Sequence, residues 1–335
     1  MGNHLEGKVA IVTGSGQGVG RAVAIGFAAE GAKVVTNNRT PLKDKPLADG
    51  DNLNMDDYAK LSDERKEWFK KVHDAETGDA ETTAAAIRAA GGEAAACFAD
   101  IAKWDDAKRL VDFAVETYGR VDIVCNIAGA FGFSPLTEIT EEMWDRVTGV
   151  KPKGYFNVMR HAVPYMIEQG DGGRIINTTS RAMMGDVFKH VEYCTANAGV
   201  VGLTRAAAIE LSEHGITCNA FSPFARTRAS YELDAADEVK DFKTSVIDMP
   251  LPTYDETPGP ELFVPFLVWL ASDAAAKVTG SVFSLAGPMI QWHNEPTVRQ
   301  TIIKADGWTV DEVCDAMPMN LLMGYESILK QYGME

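Results

Sequence analysis

A glycine-rich segment near the start of the chain has the spacing of a loop that holds phosphate groups. Thr13 is followed by Gly14-x-x-x-Gly18-x-Gly20. The run 9–13 is apolar and β-branched, and a helical pattern follows the glycines through about Glu30. Glycines let the backbone approach a pyrophosphate closely, and the next helix N-terminus offers free N–H groups. Because the loop joins a strand to a helix, it predicts dinucleotide binding and not merely a tight turn.

The end of the second apolar run bears on the choice of nucleotide. An acidic residue there would bind the 2′-hydroxyl of adenosine and repel a 2′-phosphate. The chain has Asn37-Asn38-Arg39 instead, without a carboxylate, and Arg39 could pair with a phosphate. Gln17 adds no second positive charge in the glycine loop. The sequence therefore favours NADP as cofactor, with NAD possible.

Short apolar runs alternate with segments of helical period along most of the chain. Strands that alternate with helices indicate βαβ units, and nearly continuous apolar strands indicate a sheet that is covered on both faces. The sequence therefore predicts an α/β fold, a Rossmann-like doubly wound seven-stranded parallel sheet in a single domain. The predicted strands are 9–13, 33–37, 95–99, 121–126, 174–178, 216–221 and 281–285.

Two regions interrupt this alternation. A segment of about 40–79 opens with Pro41, Pro46 and Gly50 and continues into the mixed-charge helix DERKEWFKKVHD, so we interpret it as a surface insert. The tail contains Thr309 and Glu312, which fit a capping box at the start of a helix. We predict a dinucleotide-binding and catalytic domain over 5–290. An extension over 291–335 would pack on that domain or on a neighbouring subunit.

Composition excludes several function classes. The 335 residues are 46% hydrophobic and 24% charged, and the net charge is 32 − 48 = −16. Such an acidic chain is not expected to bind nucleic acid or an anionic membrane surface. It has no apolar run long enough to span a bilayer, and we expect no signal peptide. Five scattered cysteines without zinc-ligand spacing predict buried free thiols, no metal site and a cytoplasmic location.

Several ordered motifs make the chain resemble the classical short-chain dehydrogenase/reductase family. Thr13 with its glycines is similar to the family's cofactor loop, and Asn126-Ile127-Ala128-Gly129 to its N-N-A-G motif. Ser180 precedes Tyr193 by thirteen residues, as in the family's catalytic pair. The insert and tail are similar to those of larger members related to the hydroxyacyl-CoA dehydrogenase domains of multifunctional β-oxidation enzymes.

The resemblance implies a set of site residues and an oligomeric state. Tyr193 would be the general acid/base, Ser180 would orient the substrate oxygen, and the protein would be a homodimer or homotetramer. The implied cofactor-binding residues are Gly14, Gln17, Gly18, Val19, Asn38, Arg39, Asp100, Ile101, Asn126, Ala128, Gly129, Tyr193, Asn197, Pro223, Ala225 and Thr227.

The chain departs from the family at two catalytic positions. The family has a Lys four residues after the Tyr, whereas this chain has Asn197, and Lys151 stands where the family has an Asn. A phenol has a pKa near 10 and needs a nearby cation to act as a base near neutral pH. Asn197 has no charge but could hold the nicotinamide ribose. Lys151 could supply the cation if Pro152 bends the helix toward the site, or it could point to solvent.

Residues near the predicted site leave further alternatives open. His190 is either an auxiliary acid/base, since imidazole titrates near neutrality, or a solvated loop residue. Phe131 and Phe133 either line an apolar substrate pocket or belong to the core.

We therefore predict an NAD(P)-dependent oxidoreductase that interconverts a secondary alcohol and a ketone on a small apolar substrate, through Ser180, Tyr193, Lys151 and Asn197. The alternatives are the same fold with lyase, isomerase or hydratase chemistry, and a catalytically weak subunit that binds cofactor or a partner.

Overall fold

The computed structural model describes residues 2–44, 47, 53–185, 189–236, 238–239, 257–324 and 326–331. Within these residues eight strands form one sheet in the order β3-β2-β1-β4-β5-β6-β7-β8. The strands are β1 (Val9–Val12), β2 (Lys33–Asn38), β3 (Ala94–Phe98), β4 (Ile123–Asn126), β5 (Gly173–Thr178), β6 (Ile216–Phe224), β7 (Val282–Ala286) and β8 (Met289–Trp292).

The predicted fold class is confirmed, but the strand count and direction need a correction. Strands β1 to β7 pair in parallel, as predicted. The sequence prediction of seven strands missed β8, which pairs antiparallel with β7 after a turn at Gly287. All four residues of β8 are exposed. An exposed edge strand lacks the buried apolar run by which the other strands are recognised.

Helices cover both faces of the sheet. Alternate residues of β1 show this, because Ala10 and Val12 belong to one buried cluster and Ile11 to another. The first cluster packs under α1, α4 and α10, and the second under α5, α7 and α8. The helices are α1 (Gly18–Ala29), α2 (Met55–Lys60), α3 (Asp63–Glu76), α4 (Ala80–Ala89), α5 (Trp104–Tyr118), α6 (Glu141–Thr148), α7 (Tyr155–Gln169), α8 (Val191–Glu210), α9 (Arg228–Ala236), α10 (Val264–Ala271), α11 (Val310–Met319) and α12 (Ile328–Gln331).

The insert between β2 and α4 has a small core of its own. Its predicted mixed-charge helix is α3, which packs against α9. Phe69 of α3 is fully buried and meets the Tyr231 ring edge-on at 5.3 Å between centroids. Arg65 of α3 forms an ion pair with Asp234 of α9. The parts of the predicted insert at 45–46 and 48–52 lie outside the described residues.

Replacing Phe69 with Leu is expected to lower the free energy of unfolding by about 1.5 kcal/mol, because the smaller side chain leaves a void between α3 and α9. Thermal or urea unfolding measures this loss. The matched control is Lys70→Ala, an exposed neighbour whose replacement should change stability by less than about 0.5 kcal/mol. Equal stability of the two variants would contradict a shared core.

The tail contains the predicted helix α11. Thr309 and Glu312 form its capping box, as expected. None of the α11 residues is buried. The tail is joined to the sheet domain by an ion pair between Glu295 and Arg205 of α8.

The cysteines agree only in part with the expectation of buried free thiols. Cys97, Cys125 and Cys218 are buried, Cys194 is half-buried and Cys314 is exposed, and all five are free. No described helix combines the length and apolar character that a membrane span needs.

Candidate functional site

The glycine loop and the loop after β4 meet where the strand order reverses. β1 lies between β2 and β4, so successive connections run toward one side of the sheet before β4 and toward the other side from β4 onward. Ligands of α/β proteins bind at the carboxyl ends of the strands where this reversal occurs. Gly14 has a φ of +65°, and a Cβ on it would lie 2.6 Å from the Cα of Ala128. The Thr13 hydroxyl accepts hydrogen bonds from the backbone N–H groups of Ile127 (2.9 Å) and Ala128 (3.3 Å).

The start of α1 fits an anionic ligand. Gln17 occupies the N-cap without a capping hydrogen bond from its side chain, so this side chain does not satisfy the first N–H groups of α1. Gly18 (φ +53°) is close to Thr227, since a Cβ on it would lie 3.3 Å from the Thr227 side chain. Backbone N–H groups in the first turn of a helix have no partner within the helix and attract phosphate. The residues present therefore fit the pyrophosphate of a dinucleotide.

At the predicted adenosine end of the cofactor site, the Asn38 side chain is hydrogen-bonded and the Arg39 side chain is exposed. Asn38 accepts a hydrogen bond from the Ala80 N–H and donates one to the Thr40 carbonyl, both at 2.5 Å. Arg39 is exposed at the end of β2. Just beyond the end of the neighbouring strand β3, the Asp100 carboxylate accepts a hydrogen bond from Ala102 N–H at 3.1 Å.

The remaining predicted cofactor residues lie at the carboxyl ends of β4 and β6. Asn126 is fully buried, donates to Asn177 at 2.9 Å, and has an Oδ1 without a hydrogen-bond partner. β6 continues to Phe224, so Pro223 lies within the strand and Ala225 just beyond it. The structure thus places the predicted residues at or beyond the carboxyl ends of the parallel strands. They are Gly14, Gln17, Gly18, Val19, Asn38, Arg39, Asp100, Ile101, Asn126, Ala128, Gly129, Pro223, Ala225 and Thr227.

Tyr193 lies in the first turn of α8, where Ser180 and Asn197 contact it. Burial raises the pKa of Tyr193, and side-chain hydrogen bonds with Ser180 and Asn197 act in the opposite direction. The Thr179 hydroxyl donates to the Asn197 carbonyl at 3.0 Å and so ties the end of β5 to α8. Phe131 stacks on the Tyr193 ring at 5.1 Å between centroids. An apolar wall therefore adjoins a phenol that can exchange a proton.

Lys151 points into the site and meets the residue with which it is exchanged. Its Nζ lies 3.4 Å from Asn197 Oδ1, and only 4% of the residue is exposed. Lys151 has extended dihedral angles (φ −126°, ψ 129°) inside the π-helical turn Gly149–Gly154, which separates α6 from α7. This break turns its side chain inward, whereas the neighbouring Lys153 is exposed.

Burial lowers the pKa of Lys151 to about 7. A lysine normally titrates near 10.4, and transfer from water disfavours its charged form. The side chain can therefore both carry a charge and lose it near neutral pH. The lysine contacts Asn197, which in turn hydrogen-bonds with Tyr193.

Two residues of this region have no role in the sequence prediction. Tyr155 is the first residue of α7, is fully buried, and donates from its phenol to the Ala128 carbonyl at 2.9 Å. Because the backbone between Lys151 and Tyr155 is not regular helix, their spacing in the sequence gave no signal of this contact. Glu192 directly precedes Tyr193 and is fully buried, although a charged residue at a helix start is ordinarily exposed.

His190 is buried, so the alternative of a solvated loop residue is wrong. It is 7% exposed and lies 4.9 Å from Phe133 and 5.8 Å from Tyr193 between ring centroids. Lys189 before it has a φ of +57°, and its carbonyl accepts a hydrogen bond from Ser134 N–H at 3.0 Å. This contact fastens the loop after β4 to the start of α8. Within the described ranges, no cluster of three or more His, Cys, Asp or Glu residues could hold a metal ion.

Comparison with known proteins gives consistent matches over most of the chain. A family model described as short chain dehydrogenase matches residues 65–235. A cyclohexanol dehydrogenase of an Acinetobacter species is 31% identical over 289 residues, which cover 86% of this chain and 96% of the relative. A hydroxyacyl-CoA dehydrogenase of Mycobacterium tuberculosis is 32% identical over 314 residues, covering 92% and 86%. The crystal structure of a short chain dehydrogenase from Mycobacterium avium has 32% identity and a TM-score of 0.73, and the match covers 95% of this chain and 96% of that one.

Proposed function

The chain belongs to the short-chain dehydrogenase family, and from this premise we propose that it interconverts a secondary alcohol and a ketone on an apolar substrate with NADP(H). Membership makes it an oxidoreductase of a family that uses nicotinamide nucleotides. The observation that carries the finer proposal is the contact of Lys151 with Asn197 beside Tyr193. Lys151 and Asn197 are in contact, so the site still contains an amine although the family's usual lysine position holds Asn197.

We assign the proton transfer to Tyr193. Its phenol would protonate the oxygen of a ketone or accept the proton of an alcohol, and the Ser180 hydroxyl would orient that oxygen. A bound nicotinamide nucleotide supplies the hydride donor or acceptor. Burial raises the pKa of Tyr193, and hydrogen bonds with Ser180 and Asn197 offset part of that rise. Protonated Lys151 would polarise the Asn197 amide, so its charge would act on Tyr193 through Asn197.

The substrate pocket would be apolar on the side of Phe131. This ring covers Tyr193, and Phe133 lies next in the same loop beside His190. Phe224 at the end of β6 is 42% exposed. Aromatic side chains with a few polar groups are typical of sites for small apolar ligands. The relatives named for cyclohexanol and for hydroxyacyl-CoA support a secondary alcohol as substrate.

Cofactor titration of the purified protein tests this function. NADPH, NADH and their oxidised forms would be added while nicotinamide fluorescence and thermal stability are measured. We expect binding, with NADPH preferred, because Arg39 is exposed at the end of β2 and no carboxylate follows that strand directly. Failure of all four nucleotides to bind the folded protein would exclude the proposed reaction.

Replacing Arg39 with Ala is expected to weaken NADPH binding by about 10-fold or more, since a charged hydrogen bond contributes about 1.5–3 kcal/mol. NADH affinity should change by less than about 2-fold, because NADH has no 2′-phosphate. Lys33→Ala, at the opposite end of β2, is the matched control. Equal losses for NADPH and NADH would contradict the role of Arg39.

A further inference from the structure

Glu192 is a buried carboxylate without a hydrogen-bond partner. The side chain has no exposed surface, and neither Oε1 nor Oε2 accepts a hydrogen bond. Gly132 of the loop after β4 lies against it, because a Cβ on Gly132 would be 2.5 Å from Glu192 Oε1, and the Met143 side chain of α6 would be 3.0 Å from the same Cβ. A glutamine or methionine would fill this space without burying a charge. Packing alone therefore does not explain a carboxyl group here.

The group that faces this carboxylate is the imidazole of His190. His190 Nδ1 lies 3.7 Å from Glu192 Oε1 and, like the carboxylate, has no hydrogen-bond partner. On its other side, the imidazole packs beside Phe133 and the Tyr193 ring. Hydrogen bonds between catalytic groups are often long in a ligand-free protein and shorten when the substrate binds. At 3.7 Å the two groups are within ion-pair distance but not hydrogen-bonded, and a small approach would let the carboxylate orient the imidazole.

We propose that His190 and Glu192 form a second acid–base centre beside Tyr193, and that through it the protein exchanges the protons α to a substrate carbonyl. Glu192 would hold the proton of His190 on Nδ1 and stabilise the imidazolium, which leaves Nε2 as the base. This inference rests on the proposed function, because it requires that Tyr193 and Ser180 bind the carbonyl oxygen.

The step is balanced without an oxidant or reductant. His190 Nε2 takes a proton from the α-carbon, and the C–H electron pair forms the carbon–carbon double bond of an enol. The carbonyl π pair moves to the oxygen, which takes the proton of the Tyr193 phenol. The reverse step returns the proton to Tyr193 and a solvent-derived proton from His190 to carbon. In D₂O the ketone therefore gains deuterium at its α-carbon and is otherwise unchanged.

The test is deuterium incorporation into cyclohexanone in D₂O, with the wild-type protein and NADP⁺, followed by proton NMR. Oxidised cofactor provides no hydride, so reduction does not interfere. We expect exchange about 10-fold or more above the buffer rate, and a fall by the same factor or more in His190→Gln and in Glu192→Gln, since general base catalysis is typically worth about 10²–10⁴-fold. The NADP⁺ affinity of both variants should remain within about 2-fold of the wild-type value. A variant with a general structural defect would lose NADP⁺ affinity as well.

His161→Gln is the matched control, because His161 is a half-buried histidine on α7 that packs against Trp104. Its exchange rate should equal that of the wild type. Absence of exchange in the wild type, or equal exchange in His190→Gln, overturns the inference. Reduction of cyclohexanone by the same preparation with NADPH then shows whether the proposed function stands without it. Should Glu192→Gln not fold, His190→Gln decides alone.

Discussion

Replacing Lys151 with Asn should lower kcat by about 100-fold and move the pH at which activity is half-maximal upward, because the site then has no amine near Tyr193. The Nζ group contacts Asn197, which in turn hydrogen-bonds with Tyr193, so protonated Lys151 places a positive charge beside this hydrogen bond. Steady-state kinetics across pH measures both effects. Unchanged turnover and an unchanged pH profile would show that Lys151 has no role in proton transfer.

The reciprocal exchange makes this test sharper. Asn197→Lys alone places two amines at the 3.4 Å contact and should also lower activity. The double variant with Lys151→Asn and Asn197→Lys restores one amine and one amide in the opposite order. We expect it to recover activity to within about 10-fold of the wild type, because residues in contact are not additive. Additive losses in the double variant would contradict a shared function of the pair.

Replacing Lys151 with Met should stabilise the protein, most strongly at low pH. Burial lowers the pKa of this lysine from 10.5 to about 7. Below pH 7 the folded protein must bury a charged ammonium group, whereas above about pH 10.5 the amine is neutral in both the folded and unfolded states. The destabilisation by Lys151 is thus complete below pH 7 and disappears as the pH rises from 7 to 10.5. At about 1.4 kcal/mol per pKa unit, the gain at pH 6 should be roughly 2–5 kcal/mol.

Thermal unfolding at about pH 6 and about pH 9.5 measures this difference, since the two conditions lie on either side of most of the titration. The gain in Tm of Lys151→Met should be clearly smaller at the higher pH. The matched control is Lys153→Met, because Lys153 is exposed in the same π-helical turn and should show little dependence on pH. A gain that grows with pH would contradict a buried, partly neutral Lys151.

Much of the fold could be predicted because the central strands are buried on both faces. Their apolar runs and the glycines of the first loop are local signals, and seven predicted strands appear as β1 to β7. β8 gave no such signal, since it is exposed at the sheet edge. The core between α3 and α9 also escaped prediction, because Phe69 and Tyr231 are remote in the chain and only the folded insert brings them together.

The candidate site was predictable to a similar extent. Motif spacing indicated Ser180 and Tyr193, but the direction of the Lys151 side chain depends on backbone angles within one turn, which sequence patterns do not specify. The same limit applies to Glu192. A charged residue in the first turn of a helix is usually exposed, and its burial depends on how Gly132 closes over it.

The shared core of the insert and α9 leads us to expect that the two unfold locally as one unit. α9 starts immediately after Thr227, whose side chain faces Gly18 of the glycine loop. Opening α3 removes Phe69 from Tyr231 and breaks the ion pair of Arg65 with Asp234, so α9 loses its support at the same time. The packing that stabilises α3 therefore also stabilises α9, which follows Thr227 next to the glycine loop. We therefore expect a ligand that orders Thr227 to raise the hydrogen-exchange protection of α3, although it does not contact that helix.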